Sequence, residues 1–283
     1  MENNIEVKNL NKEYEDFKLK DISFNIPKGS IVGLIGENGA GKTTTIKSIL
    51  NIIKSDGEIR VLGKDIKKYE KEIKKKLGVV LDESFLSEYL TPKKINCIMN
   101  SFYEDWNKTQ FEYYIKNFKL PENKMIKDFS SGMKMKIATA IAHNPTILIL
   151  DEPTSGLDPI VRNEILDIFR KFIAEDEQRS ILISSHITTD LEHISDYIMF
   201  IKDGEITLNL PTSEILENYG IVKCDENTFN NIEKQDIKYY KREKYQYEVL
   251  VDNKDLIKRK YNIATIDKAS IEDIMLFYIR GEK

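Results

Sequence analysis

Eight consecutive residues, Gly36-Glu37-Asn38-Gly39-Ala40-Gly41-Lys42-Thr43, hold the densest chemistry of this chain. They fit the pattern G-x-x-x-x-G-K-[ST], in which glycines let the backbone curl until successive amides point inward as donors. The loop follows a buried apolar run and precedes an amphipathic helix, whose positive end adds to an anion site. Such a cradle suits phosphate. Lys42 can reach β- and γ-phosphates, the Thr43 hydroxyl can ligate Mg²⁺, and Thr44 belongs to the same set.

Two acids complete the chemistry. Ile147-Leu148-Ile149-Leu150-Asp151-Glu152 ends a buried apolar strand in a carboxylate pair. Ligands of open α/β sheets bind at the carboxyl ends of strands, so both acids should face the phosphate loop. Asp151 would hold Mg²⁺ through water, and Glu152 would orient or deprotonate a water attacking the γ-phosphorus. His186 stands at the end of another such run, Ser180–Ser185. A lone histidine is most often structural, but at that strand end a γ-phosphate contact is expected.

These residues need strands and helices in alternation. Ile31–Gly36, Gly78–Leu81, Ile147–Leu150 and Ile181–Ile183 are short continuous apolar runs, as in a parallel sheet buried on both faces. Between them, Ile46, Ile49, Leu50 and Ile53 recur at helical spacing, as do Val161, Ile165, Ile168, Phe169 and Phe172. The predicted fold is α/β: a phosphate-loop core with a mixed or parallel sheet and an antiparallel β subdomain. Residues 91–142 show no strand pattern and predict an inserted helical subdomain. Its core would draw on the seven aromatics from Phe102 to Phe118. Past Pro211 the alternation fails. Residues 1–218 are taken as the main domain and 219–283 as a small α+β appendage. Its last helix opens with a capping box at Ser270-Ile271-Glu272-Asp273 and faces inward with Ile271, Ile274, Met275 and Tyr278.

At 283 residues the chain can hold one large domain and an appendage. A net charge of −4 argues against a nucleic-acid partner, which calls for a basic surplus. Nothing at the N-terminus resembles a secretory signal, and no apolar run approaches the ~20 residues that span a bilayer. Cys97 and Cys224 are read as two buried, reduced thiols. Lys64–Lys76 holds seven lysines and three acids, a solvated helix face or a phospholipid contact.

Taken in order, these elements resemble the ATP-binding subunits of ABC transporters over about residues 3–215. The most distinctive part is Phe129-Ser130-Ser131-Gly132-Met133, similar to the signature written LSGGQ. Ser155-Gly156-Leu157-Asp158 resembles the D-loop, His186 the switch histidine, and Tyr14 the aromatic that stacks on adenine, unless it is a plain surface tyrosine. The resemblance implies ATP and Mg²⁺ as ligands and a head-to-tail dimer with itself or a paralogue. Each ATP would lie between one chain's loop and the partner's Ser130–Met133. It also implies a cytoplasmic place on the inner face of the cell membrane, held there by a separate transmembrane permease.

Two departures carry information. Asp82, in Leu77-Gly78-Val79-Val80-Leu81-Asp82-Glu83, stands where the family has a glutamine. It can still accept and hold Mg²⁺ through water but cannot donate, so it should tune metal affinity or turnover. Met133 replaces glutamine in the signature, and Gly132-Met133-Lys134-Met135-Lys136 resembles a bacterial exporter branch handling antimicrobial or toxin peptides. Phe85, Leu86, Tyr89 and Leu90 would dock the permease or be ordinary core. The competing function is a soluble nucleotide-gated module on ribosomes or DNA. One cassette per chain and the absence of a heptad run disfavour it.

Overall fold

A computed structural model describes residues 2–81, 87–103, 106–141 and 145–283. Asp82, Phe85 and Leu86 lie outside them. The chain opens on a hairpin, β1 (Asn3–Glu13) and β2 (Lys18–Pro27). Leu19, Ile22, Phe24 and Ile26 of β2 point inward, the alternation of a sheet with one wet face. Strand β3 (Ile31–Ile35) is buried throughout and runs into the loop that precedes α1 (Lys42–Ile49). Strands β4 (Asp56–Val61) and β5 (Lys64–Asp65) complete an antiparallel sheet of order β2-β1-β4-β5. Helix α2 (Glu70–Lys74) leads to β6 (Leu77–Val80). Within Lys64–Lys76, Ile66 and Ile73 are buried, while Lys64 pairs with Glu72 and Lys74 with Glu70.

The helical region holds α3 (Pro92–Phe102), α4 (Lys108–Asn117) and α5 (Ser131–Ile141). Thr91 and Asn107 cap the first two through side-chain oxygens. Of the aromatics expected in its core, Trp106 and Phe111 are buried, and Trp106 donates its indole N–H to Asn96 at 2.7 Å. Tyr114 and Phe118 are half-buried against them, whereas Tyr103 and Tyr113 face solvent. Short helices offer only one apolar stripe, so not every ring can enter. The same geometry corrects the thiols. Cys97 is exposed, two positions beyond the buried Ile95 on α3, and Cys224 is only half-buried; both are free.

The core resumes with β7 (Ile147–Asp151), α6 (Pro159–Ala174), β8 (Ser180–Ser185), α7 (Thr188–Ile194), β9 (Tyr197–Lys202) and β10 (Glu205–Pro211). Its sheet has the order β10-β9-β3-β8-β7-β6, parallel except for the β10 edge, so it is mixed as expected. Both faces are covered. Ile147 and Ile149 pack toward α1 and the antiparallel sheet, Leu148 and Leu150 toward α6. Ile46 and Ile49 of α1 are wholly buried, each contributing about 1.5–3 kcal/mol by leaving water.

After α8 (Thr212–Asn218) come β11 (Gly220–Cys224), α9 (Glu226–Asn231), β12 (Tyr239–Arg242), β13 (Tyr247–Val251), α10 (Lys254–Lys260), β14 (Asp267–Lys268) and α11 (Ile271–Arg280). The sheet order β12-β13-β11-β14, all antiparallel, is a split βαββαβ arrangement. One face carries its own apolar cluster around Val222, Val249 and Ile257. The other, with Ile221 and Leu250, joins α11 in the main core. The capping box at Ser270 and Asp273 is present, and Ile271, Ile274 and Tyr278 are buried.

Candidate functional site

The carboxyl ends of β3, β7 and β8 converge on the loop Gly36–Thr43 because these strands are parallel neighbours in register. Gly36 is there because β9 passes close: a Cβ on it would stand 2.5 Å from the Ile201 carbonyl oxygen. Gly41 has φ +115°, and a Cβ there would also meet Leu19 and Phe17 below 3 Å. The loop can close around a small anion only with glycine at these points.

Lys42 is 5% exposed, and its ammonium donates to the carbonyls of Gly36 at 2.8 Å and Glu37 at 3.2 Å. It also lies 3.2 Å from Oε1 of Glu152. A buried cation ringed by oxygens sits where an anion at the loop would meet it. Thr43 donates its hydroxyl to Oδ2 of Asp151 at 2.7 Å, and Ser184 donates to Oδ1. Asp151 is 1% exposed, so these hydroxyls supply the hydrogen bonds that its burial demands.

Glu152 turns off the end of β7 with φ +51°, a left-handed conformation costing about 1–3 kcal/mol in a non-glycine residue. The strain re-aims its carboxylate. Its amide is anchored by the Ser184 carbonyl at 3.1 Å and the Ser184 hydroxyl at 3.2 Å. Oε2 lies 2.6 Å from His186 Nδ1 and accepts from the His186 amide at 3.3 Å. Lys42, Thr43, Asp151, Glu152 and His186 are thereby brought together as the sequence predicts. Ser184, which touches both acids, was hidden inside a run read as apolar; only the strand register, which sets it opposite Asp151, singles it out.

Other expected site residues stand apart. Thr44 is half-buried in the first turn of α1, its carbonyl accepting from Ser48 at 2.9 Å. Tyr14 is 46% exposed, with Lys12 Nζ 4.9 Å from its ring centre. Phe17, which drew no expectation, is the aromatic against the loop, lining a cavity of ≈ 360 Å³ with Glu37, Asn38, Gly39 and Ala40. Asp158 caps α6, accepting from the amides of Ile160 and Val161 at 3.1 Å each. In the signature segment, Ser130 and Ser131 are exposed, and Ser130 Oγ accepts from the Met133 amide at 3.3 Å. Gly132 is buried where α5 meets α6: a Cβ there would fall 2.4 Å from Val161 Cγ1. Tyr89 is 70% exposed and Leu90 packs into the helical region.

The hydroxyl of Thr43 and the carboxylate of Asp151 form a hard oxygen pair, which fits Mg²⁺ completed by water and phosphate oxygens. No group of three or more His, Cys, Asp or Glu is placed to hold a metal ion among the described residues, so a cage of protein ligands alone is not offered there. Nor, among them, is any helix long and apolar enough to cross a membrane.

Comparison with known proteins agrees with this geometry. A family profile described as "ABC transporter" matches residues 19–155. The chain is 32% identical over 263 residues to the ABC transporter ATP-binding protein YtrB of Bacillus subtilis, covering 91% of this chain and 89% of that protein. It is 35% identical over 221 residues to the bacitracin transport ATP-binding protein BcrA of Enterococcus faecalis, covering 76% and 71%. Among solved structures, an ATP-binding subunit of an ABC transporter superposes with a TM-score of 0.67 at 26% identity, covering 75% of this chain and 92% of that one.

Proposed function

The chain belongs to the ATP-binding subunits of ABC transporters, and from that premise we propose that it hydrolyses ATP to drive export of an amphipathic peptide or antibiotic through a separate transmembrane permease. Bacitracin transport, the role in BcrA's name, supports that cargo class. The permease would hold the chain at the inner face of the cell membrane.

One observation carries the mechanism: Glu152 spans the loop lysine at 3.2 Å and His186 at 2.6 Å, beside an Asp151 bonded to Thr43. Loop amides such as those of Gly41, Lys42 and Thr43 would hold the β-phosphate, and Lys42 would leave the carbonyls of its own loop to bridge β- and γ-oxygens. Mg²⁺ held by Thr43 and Asp151 would neutralise charge developing on those oxygens. Glu152, freed from Lys42, takes the proton of the attacking water, and His186 keeps hold of Glu152 and meets the γ-phosphate. Ser130–Met133 of a second copy would close over the phosphate from the other side, the Ser131 and Gly132 amides at its helix start acting as donors.

Reconstitution tests the reading. Co-inserted into vesicles with a membrane protein that co-purifies with it, the chain should turn over Mg²⁺-ATP faster than alone and move a labelled cyclic peptide across the bilayer. Turnover indifferent to that membrane protein would contradict the proposal.

A further inference from the structure

Strand β9 does more than pack the sheet. Its carbonyl at Ile201 lies under Gly36, and Ile201 Cδ1 lies under Gly41. Three residues on, the Gly204 amide donates to the Ala40 carbonyl inside the phosphate loop at 3.1 Å, and its own carbonyl accepts from the Lys20 amide at 2.8 Å. Gly204 has φ +77°, and a Cβ on it would collide with the Lys18 carbonyl oxygen. The turn 202–204 is therefore fixed to the loop on one side and to β2 on the other.

Between those anchors, Lys202 reaches the opposite way. Its ammonium donates to the carbonyls of Tyr278 at 2.8 Å and Ile279 at 3.4 Å, in the last turn of α11. Those carbonyls lack helical partners, and a cation at a helix C-terminus is favourable. Phe200 and Tyr278 meet edge to face at 5.4 Å, and Ile279 lines the same cavity as Phe17 and Glu37–Ala40. A continuous set of bonds thus joins the end of α11 to the backbone of the phosphate loop.

We propose that Lys202 is a positioning residue through which α11 sets the shape of the phosphate loop, so that the C-terminal region tunes nucleotide affinity. The inference rests on reading Gly36–Thr43 as the nucleotide loop. The link is reciprocal: nucleotide at the loop must also tighten the last turn of α11.

The test compares wild type, Lys202→Met and Lys202→Arg in the full chain. With a fluorescent ATP analogue, Lys202→Met should raise Kd by about 3- to 10-fold, the scale of one ordinary hydrogen bond lost at a distance from the ligand. KM for ATP should rise with it while kcat moves much less, and Lys202→Arg should recover most of the affinity. In wild type, saturating nucleotide should slow hydrogen exchange at the Gly281 amide, which is bonded to the Phe277 carbonyl at 2.8 Å, and in Lys202→Met it should not. Asp273→Ala breaks the capping box at the far end of α11, roughly 15 Å away along a ten-residue helix. It should shift Kd in the same direction by less.

A Lys202→Met protein that melts earlier yet keeps wild-type Kd, KM and nucleotide-dependent exchange would reduce Lys202 to a helix cap and overturn the proposal. Lys42→Ala, run alongside, separates the two ideas. If it abolishes binding while Lys202→Met binds like wild type, only the positioning role falls; if it still binds, the nucleotide-loop reading falls and takes this inference with it.

Discussion

The phosphate loop and the signature segment are both glycine-marked helix starts, yet their polar groups are used in opposite ways. Around the loop, Lys42 and Asp151 are buried and bonded to Glu152, Thr43, Ser184 and backbone carbonyls. At the signature, Ser130 and Ser131 are exposed. Among the described residues, no hydrogen bond or ion pair of Ser130–Met133 reaches the loop. One region is a network closed on itself; in the other, only the Met133 amide is bonded to Ser130 Oγ, and both serines face outward. The contrast fits a site of which each chain holds a complete half and offers the complement to a second copy.

The largest effect should separate the halves at once. Lys42→Ala removes the buried cation and should cut ATP turnover about a thousandfold, with equilibrium binding of nucleotide to the isolated chain lost as well. Gly132→Ala attacks the other half. Its methyl group meets Val161, so α5 must shift against α6 at a cost of about 1–3 kcal/mol, read as a lower denaturation midpoint. Turnover should fall about 10- to 100-fold because the signature amides are misplaced, while nucleotide binding to the isolated chain stays near wild type. If binding fell as far as turnover, the division between the halves would be wrong.

A smaller effect sharpens the loop side alone. Ser184→Ala strips a hydroxyl from Asp151 and from the Glu152 amide, which should cost about 1–3 kcal/mol of stability. The Mg²⁺ concentration giving half-maximal turnover should rise several-fold. A wild-type metal dependence would mean that Thr43 alone orients Asp151.

The loop side was largely legible because strand, glycine loop and helix follow one another in the chain, and a parallel sheet puts the ends of β3, β7 and β8 on one edge. The sequence could not say which hydroxyl would face Asp151, since that depends on strand register. Nor could it say that Phe17 rather than Tyr14 would lie against the loop, because both belong to one short connection. The C-terminal sheet was harder still. Strands such as Asp267–Lys268 are short and polar, and they pair only because β11 and β13 already form a core. The amphipathic face of α11 was plain from its spacing, but an apolar stripe does not name its partner. That partner is the main core, around Phe200 and Leu208.

Glu152→Gln puts the account to its most direct test, because it keeps the shape of the site while removing the proton acceptor. Incubated with Mg²⁺-ATP and followed by sedimentation and by the fate of labelled nucleotide, the variant should hydrolyse about 10²- to 10⁴-fold more slowly. It should also collect as a dimer holding intact ATP. A protein that stays monomeric and still turns over ATP at the wild-type rate would contradict it.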